Sequence, residues 1–107
     1  MSVINVSAKF NVGQVVVHKL FNYRGVIIDV DPNFQGTDEW YETRTSTNPP
    51  KDKPWYHVLV DNSEQQTYVS ERNLEKDESS QPVNHPLVDE LFSRFQDGAY
   101  RFDHTSH

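Results

Sequence analysis

The sequence predicts a mainly β fold, a small β-barrel followed by a C-terminal α-helix, and three observations carry that prediction. Two β-branched runs, Val15 to Val17 and Val26 to Val30, flank a turn that holds Asn22, Tyr23, Arg24 and Gly25, the pattern of paired strands. A second pair of strand-like segments, Trp55 to Asp61 and Gln66 to Val69, is joined by the turn cluster Asp61-Asn62-Ser63-Glu64. Near the end, Leu87, Val88, Leu91, Phe92 and Phe95 recur at three- and four-residue spacing and make one apolar helical stripe.

Length and composition bound what these elements can build. A chain of 107 residues is one domain. A domain of this size buries roughly 60–70% of the surface its unfolded chain exposes, enough for one modest core. Cysteine is absent, which removes disulfides and thiolate metal sites and agrees with a reducing cytosol. The start, Met1-Ser-Val-Ile-Asn-Val6, has no basic cluster before an apolar run. No stretch approaches the ~20 apolar residues of a membrane span, so a soluble cytoplasmic protein with no membrane partner is expected. Net charge is −6, from 16 acidic and 10 basic residues. A protein that works by neutralising phosphates usually carries a basic stripe. Here Lys9, Lys19 and Arg24 offer only a local patch, read as a solvated face.

Taken in order, residues 1–8 form a flexible N-terminus and residues 9–74 the barrel. Phe10 opens the folded part, and Gly13 sits where the chain turns into the first strand. Val15 to Val17 are consecutive apolar residues, so alternation does not assign their faces. In the second strand Val26, Ile28 and Val30 form an inner row, while Asp29 and Asp31 keep the outer face wet and Ile27 shares it. Pro32 ends that strand because it has no N–H to donate. The connection over residues 32–54 is long and rich in breakers, with Phe34, Trp40 and Tyr41 packing back and a short helical turn around Asp38 to Glu42. In the third strand Tyr56, Val58 and Val60 alternate with Trp55, His57 and Leu59. After the fourth, Ser70 to Leu74 reads as one helical turn that tucks Leu74 under the barrel.

Residues 75–83 read as a polar linker, 84–98 as the C-terminal helix and 99–107 as a tail. Asn84 or His85 caps the helix, Pro86 suits its first turn, Asp89 and Glu90 complement its dipole, and Gly98 stops it. A helix of about a dozen residues is marginal alone, so its stripe must dock on the barrel or on a second subunit. Together with unpaired strand edges, this keeps a homo-oligomer among the expectations.

Signatures of catalysis are missing from the sequence. There is no Gly-x-Ser-x-Gly elbow, phosphate-cradling glycine loop, dinucleotide fingerprint or cysteine nucleophile, so the reading is non-enzymatic, with no cofactor. Asp29 and Asp31 read as solvated carboxylates rather than a paired acid and base. His85 with Asp89, and His104 with His107, each supply two ligands where zinc takes three or four, and no metal site is assigned. His18 and His57 fall in strands, where they could meet across the sheet, and read as satisfied or half-exposed side chains rather than a ligand or switch. The aromatic content is more informative: two Trp, five Tyr and six Phe. Tyr23, Trp55, Tyr56 and Tyr68 sit at strand ends or hairpin tips, and small barrels of the SH3-like kind bind peptides, or sometimes bases, with such clusters. The candidate interaction surface is therefore Tyr23, Arg24, Trp55, Tyr56, His57 and Tyr68.

Four motifs occur in order: Lys9-Phe-x-Val-Gly-Gln-Val-x-x-His18, Tyr23-Arg-Gly-Val-Ile-x-Asp-Val-Asp-Pro32, Pro54-Trp-Tyr-His-Val-Leu-Val60 and Thr67-Tyr-Val-x-Glu71-x-Asn-Leu74. Together they resemble the HspQ heat-shock protein family, also known as YccV-like or hemimethylated-DNA-binding domains, over residues 8 to 74. Val83-Asn-His-Pro-Leu-Val-x-Glu-Leu-Phe92 and Asp97-Gly-Ala-Tyr100 resemble the C-terminal extension of some members. The resemblance implies a small SH3-like β-barrel without enzymatic activity. It implies two functions: a stress-response factor that promotes degradation of denatured or unstable proteins, including the initiator DnaA, with the Lon protease, or binding of hemimethylated DNA near the replication origin. Electrostatics disfavours the second, because the chain is acidic and has no basic run.

Overall fold

The two β-branched runs form the antiparallel pair at the centre of the fold, β1 (Val15–His18) and β2 (Arg24–Asp31). The structure is a computed structural model that describes residues 7–102; most of the N-terminal lead and residues 103–107 of the tail lie outside them, His104 and His107 included. Next come α1 (Asp38–Arg44), β3 (Trp55–Val60), β4 (Gln66–Ser70), a 3₁₀ turn over Glu71–Asn73, and β5 (Leu74–Lys76). The five strands form one antiparallel sheet in the order β4-β3-β2-β1-β5. The mainly β expectation is met, and Leu74 is buried at the end of its helical turn as anticipated. The sheet, however, stays open rather than closing into a barrel: β5 has three residues and pairs only with β1, which leaves β4 as a free edge on the other side.

The expected inner row of β2 is corrected by a bulge. Ile27 pairs with Val58 and Asp29 with His57, so Ile28 is the extra residue and the alternation flips there. Ile27 is thereby fully buried on one face with Phe10, Val16, Tyr56, Val58, Val69 and Leu74, and Val30 packs against the same cluster. Val26 is buried on the opposite face with Val15 and Leu59. Both faces of the sheet carry a core, which a period-of-two reading of a half-buried strand does not anticipate.

The second core exists because the C-terminal segment lies over it. Residues 84–98 do not form one helix. A single turn, α2 (Val88–Leu91), ends at Phe92, whose backbone is extended at φ −125°, and the chain then makes a hairpin of β6 (Arg94–Gln96) and β7 (Ala99–Arg101). Asp97 (φ 55°) and Gly98 (φ 78°) are the two turn residues between Gln96 and Ala99. This is the Asp-Gly signature of a tight hairpin, and it overrides the helix-stop reading of Gly98. The apolar stripe splits accordingly: Val88 and Phe92 are buried with Val83 and Tyr100, Phe95 is partly buried against them, and Leu87 and Leu91 are exposed. Tyr100 anchors the lid twice, through its backbone N–H to the Gly13 carbonyl (2.8 Å) and through a hydroxyl that accepts from Val83 N–H (2.8 Å). Gly13 has φ +94°, and a Cβ there would sit 2.2 Å from the Tyr100 carbonyl oxygen, so the close approach requires glycine.

Residues 75–83, expected as a linker, are bound to the domain. β5 takes up the first of them, and Arg24 clamps the rest. Its guanidinium meets Asp61 at 2.9 Å and Asp77 at 3.2 Å and donates to the Gln81 and Pro82 carbonyls.

Candidate functional site

The long connection 32–54 is held against the sheet by aromatic packing. Thr37 caps α1 by accepting from Trp40 N–H at 3.0 Å, with Asp38 and Glu39 in the first turn and Arg44 in the last, which suits the helix dipole. The Phe34 ring lies 4.8 Å from Trp55 and 5.9 Å from Tyr68, and Trp40 lies 5.7 Å from Tyr68. Polar tips close the cluster: Trp55 Nε1 donates to the Pro50 carbonyl (3.0 Å) and the Tyr41 hydroxyl to the Pro49 carbonyl (2.6 Å).

Beside this lobe a groove of about 500 Å³ runs along β4. Thr67 and Tyr68 are consecutive residues of β4, so their side chains leave on opposite faces, and each meets one wall. The Tyr23 hydroxyl lies 2.7 Å from Thr67 Oγ1, tying the β1–β2 turn to one side, while Trp40 packs on Tyr68 at the other. Leu20 and Phe21, at the tip of that turn, are 55% and 73% exposed beside the groove. The turn is held by His18, whose Nδ1 accepts from the N–H groups of Leu20 and Phe21, both at 3.1 Å. Burial lowers the His18 pKa, which keeps this acceptor unprotonated. On β4 itself Ser70 is 2% exposed, and its Oγ is the buried side-chain polar atom without a partner among the described residues.

The six predicted surface residues have different fates. Tyr56 is core: it is fully buried, its hydroxyl donates to Glu71 Oε2 at 2.6 Å and accepts from Phe10 N–H, and burial followed by the bond to Glu71 pushes its pKa up. Trp55 is 1% exposed and anchors the loop lobe. Arg24 is committed to Asp77 and Asp61, so it is neither free surface nor part of the solvated face expected with Lys9 and Lys19. Tyr23, His57 and Tyr68 remain half-buried along the groove. Tyr68 donates to Asp31 Oδ2 at 2.6 Å, and burial, then that bond, raises its pKa. The same oxygen lies 3.2 Å from His57 Nε2. Asp29, Asp31 and His57 bring three ligand atoms within 4.8 Å of one another, but Asp29 is exposed and Asp31 already serves Tyr68 and His57. His85, expected as a helix-cap candidate and assigned no metal, is buried and bridges Leu87 N–H to the Gln65 carbonyl.

Sequence reasoning missed Leu20, Phe21, Trp40 and Ser70. Leu20-Phe21 could have been found, because two large apolar residues at a turn tip satisfy no turn chemistry. Ser70 could not, since its lack of a partner appears only once β3 and the loop surround it.

A small, mainly β domain with a groove beside a free strand edge has the form of a binding domain. The particular family is given by sequence: the chain belongs to the YccV-like family, described as hemimethylated DNA-binding protein YccV like, whose family profile matches residues 8–99. Among the described residues no helix is long and apolar enough to cross a membrane.

Proposed function

We propose that this protein is a non-enzymatic stress-response factor that promotes degradation of denatured or unstable proteins, the initiator DnaA among them, together with the Lon protease in the cytoplasm. The observation that carries the reading is the groove along β4, with Leu20 and Phe21 exposed at its rim on a chain of net charge −6. Exposed apolar residues beside a pocket suit the side chains of non-native protein. Loss of a purified unstable substrate to Lon, followed with and without this protein, is the test. Acceleration is expected, and an unchanged rate overturns the reading.

A second reading, regulation of replication initiation by binding hemimethylated DNA, is favoured by the description of the family. Against it stand the acidic balance and the engagement of Arg24 by two carboxylates, since phosphate neutralisation supplies a large share of duplex affinity. Fluorescence anisotropy on hemimethylated and fully methylated duplexes at one salt concentration decides it. Tighter binding of the hemimethylated duplex would support this reading, and equal or no binding would remove it.

A further inference from the structure

The strand that floors the groove has hydrogen-bonding groups to spare. Val60 N–H donates to the Gln65 carbonyl and Glu71 N–H to the Pro54 carbonyl, both at 3.0 Å, at the two ends of the β3–β4 ladder. With Val58 opposite Thr67 and Tyr56 opposite Val69, hydrogen-bonded pairs recur every second residue. Thr67 and Val69 therefore face β3. Gln66 and Tyr68 direct both N–H and C=O away from it, as Ser70 does its N–H, the Ser70 carbonyl opening the 3₁₀ turn. No hydrogen bond among the described residues reaches these outward groups. Beside them lies the unpartnered Ser70 Oγ.

From this geometry we propose that the β4 edge is a strand-addition site: an extended segment of non-native polypeptide, uncharged or acidic, pairs with Gln66, Tyr68 and Ser70 as a sixth strand. This names the surface and binding mode for the protein-degradation reading and rests on it. Main-chain pairing supplies affinity for many sequences, and the alternate side chains of the guest point to the two walls. One wall offers Phe21 and Tyr23, the other Trp40. Ser70 Oγ gains the partner it lacks. Charge selects the guest: residues 65–70 carry none, and Arg44, which makes no ion pair among the described residues, is the one arginine or lysine lining the groove. A nucleic-acid backbone would find a single guanidinium there. A second copy of the sheet is disfavoured because Tyr23 packs on one face of β4 and Trp40 on the other, both lining the groove, which suits a lone strand better than another edge carrying the same flanking groups.

The test is backbone amide exchange on the full chain with a blocked nonapeptide of alternating valine and threonine, and with a twin N-methylated on alternate residues. With the first peptide the amides of Gln66, Tyr68 and Ser70 should slow by at least about tenfold, and the twin methylated on its pairing face should not bind, since each lost pairing costs about 1 kcal/mol. Gln66→Pro removes an outward N–H that β3 does not use. It should weaken peptide binding by about tenfold with Tm unchanged. Equal binding of the twin, protection elsewhere than β4, protection that grows with protein concentration alone, or protection by duplex DNA and not peptide would each overturn the proposal. If Lon-dependent degradation is stimulated while these measurements fail, the degradation reading stands and clients dock elsewhere. If the peptide pairs with β4 while Lon is unaffected, strand addition stands and the degradation reading falls.

Discussion

The two edges of the sheet are built differently. On one side β5 is three residues long, presents Glu75 and Lys76 to solvent, and is followed at once by Asp77, which Arg24 holds. A short, charged edge is how proteins commonly prevent strand pairing with other chains. On the other side β4 has five residues, none charged, and its protection is a pair of walls that leaves a gap of about 500 Å³ rather than a cover. One edge is closed by charge and brevity, while the other is kept competent to pair and is shielded only from large partners. The difference leaves the β4 side as the edge with unpaired, uncharged backbone, which is what the strand-addition proposal requires.

The largest blow to that contrast should come from Trp55→Ala. The ring sits 4.8 Å from Phe34 and 5.2 Å from Tyr68, so its removal unpins the lobe that forms one wall. A loss of about 3–5 kcal/mol is expected in chemical denaturation, and a nearly unchanged midpoint would assign the wall to other residues. Arg24→Ala strikes the opposite side. It leaves Asp61 and Asp77 without their counter-ion and should cost about 2 kcal/mol. Amide exchange should quicken over residues 75–83 while the β4 edge is unaffected; equal loosening of both would erase the distinction. Asp77 adds an acid limb to this. Burial alone would raise its pKa, but hydrogen bonds from Arg24 and Ser79 outweigh it and hold the group below its usual 3.8. The folded pKa is depressed, so the contribution is present above the unfolded value and is lost as pH falls through the folded one. Asp77→Asn should flatten that limb. Smaller again, Tyr23→Phe deletes the hydroxyl on Thr67 and should cost about 1 kcal/mol, loosening the turn against β4.

Local chemistry was legible in the sequence and long-range packing was not. The strand pairs and the helical turn beginning at Asp38 follow from β-branched runs, turn residues and capping. The bulge at Ile28 left no mark on the pattern, because Val-Ile-Ile satisfies either face and only pairing with β3 decides. The C-terminal segment misled because Leu87 to Phe95 fits a helical period, yet Asp97-Gly98 demanded a hairpin and the open face around Val26 and Leu59 rewarded it with burial. For the site, aromatic type pointed to the right neighbourhood. It could not separate Tyr56, which is core, from Tyr23, His57 and Tyr68, which reach the groove, or from Trp55, which lines it while pinning the loop lobe, because alternation places residues on faces without saying which face another segment covers.

The subtlest difference between the edges concerns pH. The turn carrying Phe21 depends on a neutral imidazole, since His18 Nδ1 accepts from two N–H groups and a protonated ring would set a third donor against them. Burial holds the His18 pKa below 6.5, so between those values the unfolded chain binds a proton that the folded chain does not. Stability from this group is therefore complete above pH 6.5 and declines as pH falls through the folded pKa. The ring also stacks on Phe21 at 4.7 Å, so the turn should open before the sheet does: peptide affinity at β4 should fall as pH drops through the folded His18 pKa, while exchange at Glu75 and Lys76, beyond the His18–Leu74 pair, stays constant. Titration of the His18 ring proton by NMR, read beside amide exchange at Leu20 and Phe21, checks both halves. A His18 pKa at or above 6.5, or acid loosening shared equally by the two edges, would detach the turn from the groove.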